Sequence, residues 1–267
     1  MLLRMPGHAD GSARRYRERN STADRALDIL LLFTAEKPVW AGTEIATQLG
    51  VARSTGYRYL QSLVSTGFIE EAAAGFRLGP RIFELARLAR VGIGLSEVSL
   101  PSMRRLAAQV NETVLLTRRS GRSVVCLDLV EVQQVARLSY ERGQVLPINA
   151  GAAAEVLLAW ADPAEVTAIL TQAPLERFTA KTLTDPVELR ARLAHIRKRG
   201  IAVSQGELDQ HILGVAAPIR DASGSVCAAI SIAALAARVP QSDLKAIEGA
   251  VRDSAAAITR RLAVVGA

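Results

Sequence analysis

The stretch TEIATQLGVARSTGYRYLQSLVSTGFIE, residues 43–70, constrains the fold more than any other part of the chain. Ile45, Ala46 and Leu49 recur at helical spacing and Gly50 closes that segment, as glycine does at a helix C-terminus. A second helical segment follows at once, with Ala52, Gly56, Leu60 and Leu63 on one side and Tyr59 beside them. Ala46 stands four residues before the turn glycine, where a small side chain lets two helices cross closely. That spacing predicts a helix-turn-helix. Glycine in a helix interior costs about 1 kcal/mol relative to alanine, so Gly56 needs a reason. Helical phase puts it on the inward, packing face. The expectation is that bulky Tyr59, one turn on, makes up for the missing side chain.

The opposite face of the second segment carries Arg53, Ser54, Thr55, Tyr57, Arg58 and Gln61, with no acidic residue among them. Such donors suit phosphates and base edges. Upstream, Ala26, Ile29, Leu30 and Phe33 form the apolar stripe of a first helix, with Ser21 or Thr22 available as its N-cap. Downstream, the β-prone pieces Phe68 to Glu70 and Phe76 to Leu78 flank Gly75 and read as a hairpin. Arg77 on this wing is a further candidate phosphate contact. Three helices and a small hairpin over residues 21–80 describe a winged helix-turn-helix DNA-binding domain.

Pro80 suits the first turn of a further helix, in which Ile82, Leu85, Ala86 and Ala89 form a stripe and which Gly92 and Gly94 close. Residues 81–94 thus read as a linker helix that either joins domains or pairs with its twin. From residue 95 to 267 a longer domain is expected. Helical PSMRRLAAQVN is followed by strand-like ETVLLTRRSGRSVVCLDLVE and QVARLSYERG, then helical AAAEVLLAWAD and a helix around Leu189 to Arg199. Strand-like GIAVSQGEL and GVAAPIRDASGSVCAAISIAA, with a turn at Ser223-Gly224, precede a last helix from Gln241 to Leu262. Helices flanking hairpin-connected strands give an α+β domain with a mainly antiparallel sheet.

The 267 residues, 49% of them apolar and 22% charged, suit a two-domain globular protein. A net charge of +7 favours an anionic partner. Residues 1–20, with Arg4, Arg14, Arg15, Arg17 and Arg19, read as a disordered basic arm. No apolar run approaches the length of a membrane span and no secretory signal is evident, so a cytoplasmic location is expected. Cys126 and Cys227 lie in apolar stretches and read as buried thiols, while His8, His195 and His211 lack metal-ligand spacing. Neither a catalytic residue nor a cofactor motif emerges: Gly92-Ile93-Gly94 lacks the third glycine of a dinucleotide fingerprint. An enzyme using scattered Ser204, Glu207, His211 and Ser231 remains the rival reading.

STADRALDILLLF, the helix-turn-helix stretch, FRLGPRIFELA and GIAVSQGELDQHILGVAAPIRDASGSVCAAISIA together resemble the IclR family of bacterial transcription regulators, from about Ser21 to the C-terminus. The resemblance implies a winged helix-turn-helix, a linker helix that helps dimerise, and a C-terminal effector-binding domain with a GAF-like sheet. It also implies operator DNA and a small organic effector, carboxylate or aromatic, as partners, and assembly as a dimer or tetramer without cofactor. By alignment, Leu146, Ala152 and Ala153 wall the effector pocket, and Ser204, the backbone at Gly214, and Ser231 contact the ligand. Ala233 and Ala234-Leu235 stand where the family often has a second serine and Gly-Pro. Fewer polar anchors imply a more apolar or larger effector. A DNA-bound regulator without an effector is the alternative.

Overall fold

The computed structural model describes residues 22–34, 36–134 and 138–265, and the chain divides into two compact units between Ala89 and Arg90. The basic arm and Ser21 lie outside the described residues.

In the first unit, α1 (Thr22–Leu31), α2 (Gly42–Gln48) and α3 (Arg53–Ser65) precede the antiparallel hairpin β1 (Ile69–Ala72) and β2 (Gly75–Leu78). The alternation of apolar positions read from the sequence closes a core of Ile29, Ile45, Leu49, Leu60, Leu63 and Ile69. Burying each such side chain contributes about 1.5 to 3 kcal/mol. Gly50, at φ +65°, makes the turn between α2 and α3, and Val51 N–H donates back to the Ala46 carbonyl. Arg25 Nη1 donates to the Leu49 carbonyl at 3.2 Å, tying α1 to that turn.

The wing has an addition that the sequence did not reveal. Trp40 and Phe76 exchange backbone hydrogen bonds of 3.0 and 2.8 Å, so the segment leading into α2 bridges to the hairpin. A Cβ on Gly75 would fall 2.2 Å from the Trp40 carbonyl oxygen; only glycine permits that approach.

Gly56 is buried where α3 crosses α2. A Cβ there would sit 2.9 Å from Ala46 Cβ and 3.3 Å from Ala46 Cα. The expectation that Tyr59 compensates for the missing side chain is therefore corrected: Ala46 of the facing helix occupies that space, and the glycine sets the helix spacing.

Helix α4 runs without interruption over Pro80–Ile93. Gly92 lies inside it, and Gly94, at φ +60°, ends it. In the second unit the order is α5 (Leu95–Val110), β3 (Thr113–Ser120), β4 (Ser123–Val130), β5 (Val145–Pro147), α6 (Ala152–Ala159), α7 (Pro163–Thr171), α8 (Pro186–Arg199), β6 (Ala202–Gln205), β7 (Ile212–Arg220), β8 (Val226–Leu235) and α9 (Leu244–Val265). The strands form one antiparallel sheet in the order β5-β4-β3-β8-β7-β6. Its two faces are both covered, which explains why β7 and β8 read as nearly continuous apolar runs. On one face Met103, Leu106, Val251, Ile258 and Leu262 of α5 and α9 pack against Val114, Val215, Ile230 and Ile232. On the other, α6, α7 and α8 bring Val156, Leu158, Ile169, Leu189 and Leu193 onto Ala202, Ala216 and Ala229.

Two local readings are corrected. QVARLSYERG is not a strand where described: Leu138 to Gly143 form a loop whose Leu138 and Tyr140 side chains pack over Leu115, Cys126, Leu129 and Ala233. Their alternation reflects contact with an inner patch rather than sheet pairing. Helix α7 was missed although Asp162-Pro163 announces it; the Asp162 carboxylate accepts from the Ala164 and Glu165 amides.

Candidate DNA-binding face and effector pocket

The N-terminus of α3 is preceded by Ala52, which offers no side-chain cap, so the first amides of the helix lack a local acceptor. Free amides and the helix dipole there favour a phosphate. Arg53, Ser54, Arg58 and Gln61 are exposed on α3, and Thr55 is half-buried. The Arg58 guanidinium makes no hydrogen bond or ion pair with any described residue, while its backbone carbonyl accepts from Ser62 Oγ at 3.1 Å. Tyr57 differs from the rest. A Cβ on Gly42 would lie 2.8 Å from its ring tip, and its ring meets Phe76 edge-on with centroids 6.4 Å apart. Tyr57 is thus half-buried between α2 and the wing, with the Arg53 guanidinium 5.5 Å from its ring. Helical spacing puts Tyr57 on the outward face with the arginines; in the structure its ring instead packs at the edge of that face. Arg77 is exposed but pairs with Glu70 across the hairpin at 2.6 Å.

In the second unit, Leu146, Ala152, Ala153, Ser204, Gly214 and Ser231 all line one cavity. Three parts of the fold bring them together. Strands β6, β7 and β8 supply a floor in which Ser204 pairs with Gly214 and Gly214 with Ala233, with Ser231 two residues before Ala233 on β8. The start of α6 forms a wall. A Cβ on Gly214 would lie 3.3 Å from Ala152 Cβ, so glycine there lets α6 begin against the sheet. Tyr140 and Leu208 from two loops, and Ile212 at the start of β7, complete the enclosure; helical and strand periodicity single out none of the three. Their only sequence signal was the LDQHI and LSY stretches of mixed polarity.

The cavity volume is about 50 Å³. A water needs about 10 to 15 Å³ on this measure, so there is room for a few small-molecule heavy atoms. Its lining is apolar except for hydroxyls and backbone. Ser204 and Ser231 are buried, and neither hydroxyl has a hydrogen-bond partner among the described residues. Gly151, at φ +94°, caps α6 without a side chain, and the first intrahelical bond runs from Glu155 N–H to the Gly151 carbonyl. The Ala152, Ala153 and Ala154 amides are left without intrahelical acceptors at the cavity wall.

The other candidates fall elsewhere. Glu207 is buried but accepts from Arg192 at 2.8 Å outside the cavity, and exposed His211 contacts Gln210. His195 is exposed on α8. Burial pushes the Cys126 thiol up to about 11 and raises that of Cys227, the opposite of an oxidant-sensing thiolate. Among the described residues no cluster of three His, Cys, Asp or Glu side chains could hold a metal, and no helix is long and apolar enough to cross a membrane.

A winged helix-turn-helix unit followed by a separate sheet domain defines a two-part transcription regulator. Residues 22–73 match the IclR helix-turn-helix domain and residues 89–260 the C-terminal domain of bacterial IclR transcriptional regulators; the chain belongs to the IclR family. It is 34% identical to the HTH-type transcriptional regulator BhcR of Paracoccus denitrificans over 87% of this chain and 84% of that protein. With KipR of Bacillus subtilis it shares 29% identity over 91% of this chain and 98% of the relative. Among solved structures, an IclR transcriptional regulator from Silicibacter sp. TM1040 superposes with a TM-score of 0.84 at 28% identity, covering 91% and 96% of the two chains. An IclR homologue from Microbacterium hydrocarbonoxydans, complexed with 4-hydroxybenzoate, gives 0.77 at 27% identity over 91% and 100%.

Proposed function

We propose that this IclR-type regulator binds operator DNA through the exposed face of α3 and releases or tightens it in response to a small carboxylate held in the C-terminal cavity. One observation carries the effector reading. Unpaired amides at the start of α6 and the unpaired hydroxyls of two buried serines line the same apolar space. A carboxylate would satisfy the amides and accept from a hydroxyl, while its remainder packs on alanine and leucine. The volume favours a small acid over the larger effector implied by Ala233. A ring such as that of the 4-hydroxybenzoate bound by the Microbacterium homologue would need the cavity to open. The effect on DNA would follow as a population shift, the effector favouring one arrangement of the assembly over another.

The test has two stages. Selection of bound DNA from a genomic pool should enrich one pseudo-palindromic site, because paired recognition helices enter major grooves about 34 Å apart. With that site in hand, calorimetry and DNA-release assays across a series of acids, from glyoxylate to 4-hydroxybenzoate, should identify a ligand. Ser231→Leu, which fills the cavity, should abolish the ligand response and leave operator affinity within about twofold. If every acid leaves operator affinity unchanged, the effector reading fails.

Self-association is part of the same reading. Phe83, Leu85 and Leu88 on α4, and Leu27 and Leu31 on α1, are exposed, Phe83 to 77%. A solvent-facing aromatic and four leucines in one small unit favour coverage by a second copy. Light scattering should give the mass of a dimer or tetramer, and Phe83→Glu with Leu88→Glu should shift it toward the monomer.

A further inference from the structure

Beside the cavity, two carboxylates compete for one cation. Glu155, in the first turn of α6, is 1% exposed and its Oε2 has no hydrogen-bond partner. Its other oxygen lies 3.5 Å from Arg192 Nε of α8, too far for a good hydrogen bond, whereas Arg192 Nη2 donates to Glu207 Oε1 at 2.8 Å. Glu207 belongs to the loop between β6 and β7, which also carries the cavity residue Leu208. That loop is pinned a second time, by Thr182 Oγ1 donating to the Glu207 carbonyl at 2.6 Å and Thr179 Oγ1 to that of Gly206 at 2.6 Å. Arg192 therefore joins two walls of the cavity, α6 and the β6–β7 loop.

One guanidinium cannot compensate two buried carboxylates, so one of them must hold a proton while the walls stay joined. The carboxyl with the poorer contact and the orphaned oxygen is Glu155. We propose that Glu155, Arg192 and Glu207 form a proton-dependent clamp on the effector cavity, closed while Glu155 is protonated and loosened when it ionises. Burial, then the charge of Glu207, push the Glu155 carboxyl up to about 8, against the lowering effect of Arg192. Its folded value is raised, so the stabilisation is complete below the ordinary carboxylate range and is lost as pH rises toward 8. Two other groups stand near the clamp. A Cβ on Gly206 would lie 3.5 Å from Lys181 Nζ, and exposed His195 shares with Arg192 and Glu207 a cleft lined by α8, β6 and α9, whose Arg199 and Glu248 pair with each other. The consequence for ligands rests on the carboxylate-effector reading above: an anion at the α6 amides and an ionised Glu155 one turn along would repel, so effector binding would take up a proton as pH approaches 8.

The clamp is testable without a ligand. Hydrogen exchange of the full chain, corrected for intrinsic rates, should show protection of the β6–β7 loop and the start of α6 falling about tenfold between pH 6 and 7 and levelling off above pH 8. Glu155→Gln, neutral and of similar shape, should keep these amides equally protected across that range. Glu207→Gln frees Arg192 for Glu155 and should move the fall to lower pH. His195→Gln, in the same cleft as Arg192 and Glu207, is the control and should retain the wild-type fall. Protection independent of pH in the wild type, or a fall that survives in Glu155→Gln, overturns the clamp. Neither result bears on whether an acid releases the operator, so the two proposals fail separately.

Discussion

Gly56→Ala lowers the stability of the DNA-binding unit by about 1 to 3 kcal/mol, the usual cost of forcing extra volume into a packed helix crossing. Alanine has the better intrinsic helix propensity by about 1 kcal/mol, so propensity alone points the other way. Packing wins here because the new Cβ would be 2.9 Å from Ala46 Cβ, and a methyl attached to a buried helix backbone has no rotamer by which to yield. Each kcal/mol should lower the midpoint of a unit this size by about 4 to 8 °C in a thermal melt. The double variant Ala46→Gly with Gly56→Ala restores the gap from the other side and should recover part of the loss. A melt of Gly56→Ala at or above the wild-type midpoint would show that α2 and α3 can separate at little cost.

Arg58→Ala should weaken operator binding by about 1 to 3 kcal/mol, or about 5- to 150-fold, if the arginine reads a guanine edge. Arg58 is exposed on α3 and its guanidinium makes no hydrogen bond or ion pair with any described residue, so its donors are available to DNA and its removal leaves no buried group unpaired. The loss should therefore come with an unchanged melting temperature and be larger on the selected site than on random DNA. Arg53 sits at the first turn of α3, where a phosphate is the natural ligand. Arg53→Ala should weaken all sequences alike and reduce the salt slope by about one. Tyr57→Phe, by contrast, keeps the ring that packs against Gly42 and Phe76 and should change affinity little. Equal affinity of Arg58→Ala and wild type for the operator at matched salt would remove Arg58 from the reading face.

The helix-turn-helix was legible because its elements are local. Ile45, Leu49, Leu60 and Leu63 declare their inward face by spacing alone, and Gly50 declares the turn by its backbone freedom. The wing was legible as a hairpin but not as a three-piece unit, since the Trp40–Phe76 bridge joins residues that only tertiary folding brings together. The same reason explains Tyr57. Helical phase placed it near the polar face, yet nothing in the sequence says that Gly42 leaves a space for its ring.

The cavity residues divide in the same way. Ser204, Gly214 and Ser231 came from resemblance, since no periodicity marks one buried serine in an apolar strand as different from another. Tyr140 was misread as part of a strand, because a loop residue packed on an inner patch alternates as strand residues do.

The sequence by itself determined the two-part plan, the recognition helix with its exposed arginines, and the antiparallel sheet, all of which rest on patterns within about twenty residues of chain. Only the tertiary structure decided why residue 56 must be glycine, how small the shared cavity is, and that Tyr140, Leu208 and Ile212 also line it. It alone brought Glu155 and Glu207 to the same arginine. Each of these depends on distances between segments far apart in the chain, which side-chain periodicity does not encode.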